Sequence, residues 1–390
     1  MKKLLEASHA IAEAVKAVRP DVIAAYPITP QTHIVERLSD FVADGDLKTQ
    51  YINVESEFSA LSACLGATAT GVRSYTATSS QGLALMHEIL FIVSGMRLPV
   101  SMTVVNRSLS APINIWNDHQ DSIAARDAGW LQLYGETAQE GHDLSIMQFK
   151  MSENEKVLLP SMVCIDGFTL SHVYEPVATL SEEEVQKFLP KYKPVHAVLD
   201  PDDPLTQGPI GFPSHYMEFR FTQEKAMKDS LEVIGSVYKE FSKKFPVEIP
   251  NSRPKSYWHI EEYRAEDAEI LLVAMGSVCG TIKDVIDMQR KKGVKVGLVK
   301  LVTYRPFPGE IVKNALKNAR KVAVIEKAFS PGMGGVLLSE IAGALYEAGK
   351  RPALRSFIVG LGGRDVTLEH IGKIISMTKD DKGSREEWVF

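Results

Sequence analysis

The spacing of apolar residues along the chain alternates between helical and strand patterns. Apolar residues recur at helical spacing over 4–18 and again near 34–42, 56–70 and 81–93. Short apolar runs at 21–26, 51–54, 74–78 and 99–105 are typical of buried strands. Helices that alternate with short buried strands predict a parallel sheet covered on both faces. Such sheets bind ligands in the loops beyond the carboxyl ends of their strands.

A second alternating block follows a proline-rich connector at 200–213 and an amphipathic helix with apolar residues from Met227 to Phe241. Its predicted strands are 270–275, 294–301, 322–325 and 354–359, and its predicted helices are 282–289 and 336–346. We therefore predict an α/β fold with two parallel-sheet domains. The first, with the connector, covers residues 1–235, and the second covers residues 236–390.

Composition excludes several classes of protein. The 390 residues are 45% hydrophobic and carry a net charge of −5, without the basic face of a nucleic-acid-binding protein. The apolar runs are too short to span a membrane, and the N-terminal segment lacks the apolar core of a signal peptide. Cys64, Cys164 and Cys279 lie about a hundred residues apart, so they predict no clustered metal site and suit a reducing compartment. We expect a cytoplasmic protein.

Polar residues follow the predicted strands in four segments. They are Tyr26-Pro27-Ile28-Thr29-Pro30, Asn53-Val54-Glu55-Ser56-Glu57, Thr78-Ser79-Ser80-Gln81-Gly82, and Asn106-Arg107-Ser108 continuing to Asn114–Asp121. The prolines hold the Thr29 hydroxyl on a rigid turn, and the planar guanidinium of Arg107 suits a carboxylate. The acids of the second segment precede a small, apolar helix face, where a carboxylate can share a proton.

Structural interpretations of these segments stay open at this point. The first fits a stiff turn, and the second and third fit capped helix starts. Asp118, His119 and Asp121 lack the further ligands of a metal centre, so we predict no metal site. The chain has neither a phosphate-binding P-loop nor a dinucleotide fingerprint. The glycines at 332–335 fit a flexible turn better than an anion site.

Taken together and in order, these segments resemble the alpha subunits of the pyruvate:ferredoxin oxidoreductase family. The similar motifs are Ala25-Tyr-Pro-Ile-Thr-Pro-Gln-Thr32, Glu55-Ser-Glu57, Thr78-Ser-Ser-Gln-Gly-Leu83, Asn106-Arg-Ser-Leu-Ser-Ala111 and Trp116-Asn-Asp-His-Gln-Asp121. Later motifs at 166–172, 275–277, 304–307 and 360–364 extend the resemblance over nearly the whole chain. For 304–307 and 360–364, the residues themselves favour turn geometry over subunit contacts.

The resemblance implies an enzyme that uses thiamine diphosphate and is divided among several chains. This chain supplies the pyrimidine-binding domain and a domain like the C-terminal domain of transketolase. A beta chain binds the diphosphate through Mg²⁺ and shares the 4Fe-4S clusters with a ferredoxin-like delta chain, and a gamma chain contributes to coenzyme A binding. The absence of a Gly-Asp-Gly motif with a later Asn, and of cysteine clusters, agrees with that division. The implied reaction converts pyruvate and coenzyme A to acetyl-CoA and CO₂ and reduces ferredoxin.

The resemblance also assigns residues to roles. Glu57, rather than Glu55, matches the family's glutamate, which hydrogen-bonds N1′ of the aminopyrimidine and favours the tautomer that deprotonates the cofactor. Thr29 and Arg107 match substrate-binding residues. Tyr26, Pro27 and Ser80 are expected to contact the cofactor, and Asn117, Asp118 and His119 to form the pocket wall, without a metal.

Other functions remain possible at this stage. Relatives within the family act on 2-oxoglutarate, 2-oxoisovalerate or oxalate. A non-catalytic scaffold subunit predicts that Glu57, Thr29 and Arg107 lie apart, whereas an enzyme subunit gathers them around one cleft. The missing dinucleotide fingerprint disfavours a nicotinamide dehydrogenase.

Overall fold

Two sheets with mostly parallel strands organise the chain in the computed structural model, which describes residues 1–349, 351–380 and 385–390. Together with a small antiparallel pair, they contain the strands β1 (Lys2–Glu6), β2 (Val22–Ala25), β3 (Gln50–Asn53), β4 (Ser74–Thr78), β5 (Ser101–Asn106), β6 (Leu131–Tyr134), β7 (Ser161–Asp166), β8 (Tyr174–Ala178), β9 (Ile260–Tyr263), β10 (Ile270–Ala274), β11 (Val296–Leu301), β12 (Thr303–Arg305), β13 (Lys321–Glu326), β14 (Ala353–Ile358) and β15 (Glu386–Trp388).

Helices connect most of these strands. They are α1 (Ala7–Val18), α2 (Thr32–Ala43), α3 (Glu57–Ala69), α4 (Ser80–Leu85), α5 (His87–Gly95), α6 (Gln120–Ala124), α7 (Ala138–Ser152), α8 (Glu182–Phe188), α9 (Tyr216–Lys244), α10 (Val278–Lys291), α11 (Gly309–Leu316), α12 (Val336–Ala344) and α13 (Leu368–Lys379), with a short 3₁₀ helix at Leu361–Gly363.

The first sheet has the strand order β12-β6-β7-β5-β4-β2-β3. Its strands are parallel except for β12, which pairs antiparallel with β6. The central strands β4, β5 and β7 are buried along their whole length, because helices cover both faces. The predicted parallel α/β sheet is therefore confirmed.

The second sheet has the order β15-β14-β13-β10-β11-β9, and β9 is its antiparallel edge strand. One apolar cluster joins α1, α2 and α7 to one face of the first sheet. Another contains residues of the opposite face and of the second sheet, such as Trp130, Tyr134 and Leu301. The two sheets therefore share part of one core.

The structure differs from the predicted elements at three places. Leu4 was expected in a helix, but it lies in β1 and is exposed, because β1 pairs antiparallel with β8. The helix predicted over 81–93 is divided at Met86 into α4 and α5. Tyr304 lies in β12 rather than in a turn, so the second half of the chain contributes a strand to the first sheet.

Two further features concern the predicted domain boundary and the hydropathy of the helices. Helix α9 runs without interruption across residue 235, where the predicted first domain ends. None of the helices formed by residues 1–349, 351–380 and 385–390 has both the length and the hydropathy needed to cross a bilayer.

Candidate active site

The four polar segments all follow strands of the first sheet. Strands β2, β3, β4 and β5 are parallel, and each ends immediately before one of the segments. Their carboxyl ends therefore meet at one edge of the sheet, as expected for a ligand site in this class of fold.

Glu57 occupies the first turn of α3 and is only 6% exposed. Ser56 caps the helix, since its hydroxyl accepts a hydrogen bond from the Ser59 amide at 3.2 Å. Glu55 instead lies exposed and accepts a hydrogen bond from the Ser59 hydroxyl. Within the described residues, the Glu57 carboxylate has neither a hydrogen bond nor an ion pair. A buried carboxylate without an internal partner is unusual, and this one is therefore available to a ligand.

Gly82 makes room for this carboxylate. A Cβ atom at Gly82 would lie 2.7 Å from Glu57 Oε1 and 2.4 Å from Thr78 Oγ1. The glycine of the Thr78–Leu83 motif thus lets the first turn of α4 approach Glu57 closely.

Arg107 and Thr29 are in direct contact. Arg107 Nη1 donates to the Thr29 carbonyl at 2.8 Å, and Nε donates to the Asn114 carbonyl at 3.1 Å. Arg107 is 8% exposed, and burial lowers the pKa of its guanidinium while the Asp121 charge opposes this effect. Among the described residues Nη2 has no partner, so the Nη end of the guanidinium can still receive an anion.

Tyr26, Pro27 and Thr29 are exposed on the turn that follows β2. Buried Gln31 holds this turn, because its side-chain amide donates to the carbonyls of Tyr26 at 3.0 Å and Ala77 at 2.8 Å. Gln31 is not among the site residues predicted from the sequence. Its place in the Pro-Ile-Thr-Pro-Gln motif was the available signal.

Asp121 joins two of the segments. Its carboxylate accepts hydrogen bonds from the Ser80 amide at 2.9 Å, the Arg107 amide at 3.0 Å and the Asn106 side chain at 2.7 Å. Burial raises the pKa of Asp121 to about 6 despite these hydrogen bonds. Ser80 has a φ of 46°, and its buried hydroxyl donates to the Ser108 carbonyl. The Ser80 side chain is therefore engaged by the protein itself.

The predicted pocket-wall residues make three separate sets of contacts. Asp118 accepts a hydrogen bond from the Ser108 hydroxyl at 2.6 Å, and His119 Nε2 lies 2.6 Å from Asp166 Oδ1. The Asn117 side-chain oxygen is buried without a partner among the described residues. Asp118, His119 and Asp121 are not among the groups of described residues whose ligand atoms lie within 4.8 Å of one another.

Loops of the second sheet hold this wall in place. Asp166 at the end of β7 accepts hydrogen bonds from Lys327 after β13, at 3.2 Å, and from the Ser277 amide after β10, at 3.1 Å. Burial alone would raise the pKa of Asp166, but the charges of Lys327 and His119 hold it well below its usual value.

Gly362 and Gly363, which follow β14, contact the same polar segment. The Gly363 amide donates to the Asn117 carbonyl at 2.7 Å, and the Gly362 amide donates to Asp118 at 3.2 Å. Gly363 has a φ of 78°, and a Cβ there would lie 2.3 Å from Trp116 Cβ. Gly360–Arg364 was expected to serve turn geometry, and three of its glycines do have positive φ. The segment also supports the pocket wall.

Two family models match most of the chain. Residues 13–239 match the family described as pyruvate flavodoxin/ferredoxin oxidoreductase, thiamine diphosphate-binding, and residues 268–371 match pyruvate:ferredoxin oxidoreductase core domain II. The pyruvate synthase subunit PorA of Methanothermobacter thermautotrophicus is 52% identical over 382 residues, covering 98% of this chain and 96% of that protein.

More distant proteins share the fold or the family. The ketoisovalerate oxidoreductase subunit VorA of Pyrococcus horikoshii is 42% identical, covering 98% of this chain and 96% of that protein. The solved 2-oxoglutarate:ferredoxin oxidoreductase of Magnetococcus marinus has a TM-score of 0.76 at 17% identity, covering 97% of this chain and 65% of that one, a likeness of fold. Given the family match and the full-length relatives, this chain belongs to the pyruvate flavodoxin/ferredoxin oxidoreductase family.

Proposed function

We propose that this chain is the alpha subunit of a pyruvate:ferredoxin oxidoreductase. The enzyme converts pyruvate and coenzyme A to acetyl-CoA and CO₂ and reduces ferredoxin, reversibly. The observation that carries the proposal is the buried Glu57 carboxylate, which has no hydrogen-bond or ion-pair partner in the part of the chain that the structure describes. It lies at the sheet edge that also presents Arg107 and Thr29. Pyruvate synthase subunits that are 47–53% identical to this chain over almost its whole length support pyruvate as the substrate.

The residues around Glu57 fit the aminopyrimidine of thiamine diphosphate. A carboxylate without an internal partner can accept a hydrogen bond from a ring nitrogen, and Gly82 leaves its oxygen uncovered by a side chain. When bound, thiamine diphosphate supplies the nucleophilic carbon that reacts with the substrate's keto group. Glu57 orients the ring and favours the protonated ring nitrogen. Tyr26 and Pro27 provide the exposed, rigid turn beside the cofactor. Ser80 supports the site through the bond of its hydroxyl to the Ser108 carbonyl and the bond of its amide to Asp121.

Arg107 and Thr29 bind the substrate. Two N–H groups of Arg107 are used to hold the Thr29 and Asn114 carbonyls, so the guanidinium is fixed before substrate arrives. Its remaining Nη donors bind the substrate carboxylate, and the Thr29 hydroxyl donates to an oxygen of the keto acid. Asn117, Asp118 and His119 shape the pocket wall and perform no chemical step.

The partners are those that the family resemblance implies. A beta subunit holds the diphosphate through Mg²⁺, iron–sulfur clusters lie in the beta and delta subunits, and a gamma subunit contributes to coenzyme A binding. The three cysteines of this chain are buried and free, which suits a cytoplasmic enzyme. The division into domains at residues 235 and 236 remains a prediction.

The assembled complex provides the test. Glu57→Gln keeps the size of the side chain but removes its charge, so we expect pyruvate turnover to fall by about 10²–10⁴-fold at saturating substrate. Glu55→Gln, two residues away on the exposed side of the same helix start, is the matched control and should keep wild-type turnover. Near-normal turnover of Glu57→Gln would refute the assignment.

A second candidate substrate is 2-oxoisovalerate, which the 42% identical VorA subunit favours. Turnover of the same complex with pyruvate, 2-oxoisovalerate and 2-oxoglutarate, compared as kcat/KM, distinguishes these substrates. If Glu57→Gln and Arg107→Met both leave turnover unchanged with every oxoacid, a scaffold role replaces the catalytic one.

A further inference from the structure

Three potential metal ligands converge near the start of the chain, on side chains that the proposed function does not use. Glu6 ends β1, His9 lies in the first turn of α1, and His33 lies in the first turn of α2. Glu6 Oε1 is 2.7 Å from His33 Nδ1 and 3.5 Å from His9 Nε2. The three donor atoms all lie within 4.8 Å of one another.

The charge of Glu6 is not balanced by a lysine or an arginine in contact with it. Glu6 is 3% exposed, and its ion pairs within the described residues are with His9 and His33 alone. A second cluster of possible ligands among the described residues, formed by Glu136, Glu140 and Glu261, does have such a cation. Glu136 and Glu140 lie 2.6 and 2.7 Å from the ammonium of buried Lys300, which already occupies the position of a cation.

The chain geometry brings the three donors together. His9 Nε2 and His33 Nδ1 both face the Glu6 carboxylate. Arg37, one turn after His33, carries a positive charge, but its guanidinium lies 3.8 Å from Asp40, which partly offsets that charge. The donors lie at the end of a paired strand and on the first turns of two helices, so the backbone fixes their separation.

We propose that Glu6, His9 and His33 bind a divalent transition-metal ion of the zinc class, with water in the remaining position. Two imidazoles and one carboxylate are a common donor set for Zn²⁺, whereas Mg²⁺ and Ca²⁺ prefer oxygen ligands. Tetrahedral coordination at ~2.0–2.1 Å separates ligand atoms by about 3.3 Å. The separations of 2.7 and 3.5 Å between Glu6 Oε1 and the two imidazole nitrogens lie on either side of that value.

The bound ion would connect elements that border the proposed active site. His33 lies four residues after Thr29, and its ring lies tilted against the ring of His172, with centroids 4.3 Å apart. His172 in turn contacts Phe168, whose ring lies 6.3 Å from Trp116. The ion therefore fixes the starts of α1 and α2 and has a structural role.

The test uses the full chain, stripped of metal with a chelator and dialysed at pH 7.5. Binding of Zn²⁺ is measured by competition with a chromophoric chelator, and Co²⁺ is added separately to record its visible absorption. We expect one ion per chain, Co²⁺ bands of a four-coordinate site, and displacement of Co²⁺ by Zn²⁺. His9→Gln and His33→Gln should each weaken Zn²⁺ binding at least tenfold.

His196→Gln is the matched control, since His196 is exposed and lies outside the cluster. It should bind Zn²⁺ like the wild-type chain, and circular dichroism checks that each variant is folded. The absence of stoichiometric binding by the wild-type chain would overturn the proposal without reference to any variant. Unchanged affinity in both folded His9→Gln and His33→Gln chains would overturn it as well.

Discussion

Replacement of Gly82 by alanine tests the position of the Glu57 carboxylate without changing Glu57 itself. The added Cβ would lie 2.7 Å from Glu57 Oε1, 2.9 Å from Glu57 Cγ and 2.4 Å from Thr78 Oγ1. Ordinary contact requires ~3.5 Å, so the carboxylate must recede by about 0.8 Å. Thr78 is a β-branched residue of a buried strand and has little freedom to move instead.

The expected effects on stability and on catalysis differ in size. Alanine in place of glycine within a helix gains ~0.5–1 kcal/mol, whereas overpacking of a buried position costs ~1–3 kcal/mol, so the net loss of stability is modest. A displacement of about 1 Å in a catalytic group can cost ~10²-fold in rate. We therefore expect turnover to fall about a hundredfold, which corresponds to ~2.7 kcal/mol of activation free energy.

The assay is pyruvate-dependent reduction of a viologen dye by the assembled complex at saturating pyruvate, together with the Kd for thiamine diphosphate. Gly66→Ala is the matched control, because Gly66 lies in α3 and a Cβ atom added there would have nothing within 4 Å of it. It receives the same gain in helix propensity and should keep wild-type turnover. Wild-type turnover and cofactor affinity in Gly82→Ala would show that the location of the carboxylate does not govern the reaction.

Two further predictions concern stability. Burial lowers the pKa of His259 to about 4, so the unfolded chain takes up a proton that the folded chain refuses. The free energy of unfolding should fall as pH drops from about 6.5 to 4, by ~2 kcal/mol between pH 7 and 5, and urea titrations should show this component missing in His259→Asn. Arg73→Met leaves Glu153, whose side chain is 10% exposed, without the guanidinium that lies 2.6 and 2.8 Å from its oxygens, so denaturant unfolding should show a loss of ~3–5 kcal/mol. The double variant with Glu153→Met should recover most of that loss, and if the single variant matches the wild type, the pair is not a stabilising contact.

The candidate site could be predicted from the sequence because the relevant signals are local. A short apolar run followed by polar residues marks the end of a buried strand, and four such ends belong to neighbouring parallel strands. The local pattern did not separate Glu55 from Glu57. The family resemblance separates them. The structure supplies a physical difference between the two acids, because Glu55 is exposed whereas Glu57 is buried.

Strands that form only by pairing with a distant segment could not be predicted from the local pattern. Strand β1 pairs Lys2 with Ala178, so neither segment by itself indicates the pairing that turns Leu4 into a strand residue. Strand β12 has three residues, and its partner β6 lies in the other half of the chain. Its residues have no alternation long enough to be distinguished from a turn.

The polar segment from Asn114 to Asp121 makes contacts that the local pattern could not predict. Its many polar groups were attributed to a pocket, but most of them contact loops of the second sheet. Gln120 exchanges hydrogen bonds with the backbone of Phe329, and the His119 amide donates to the Lys327 carbonyl. These contacts hold the segment that also carries Arg107. The loops of the second sheet therefore affect the site by positioning this segment. Substrate affinity should therefore respond to changes in residues 327–329 and 360–363, although none of them approaches the substrate in the proposed mechanism.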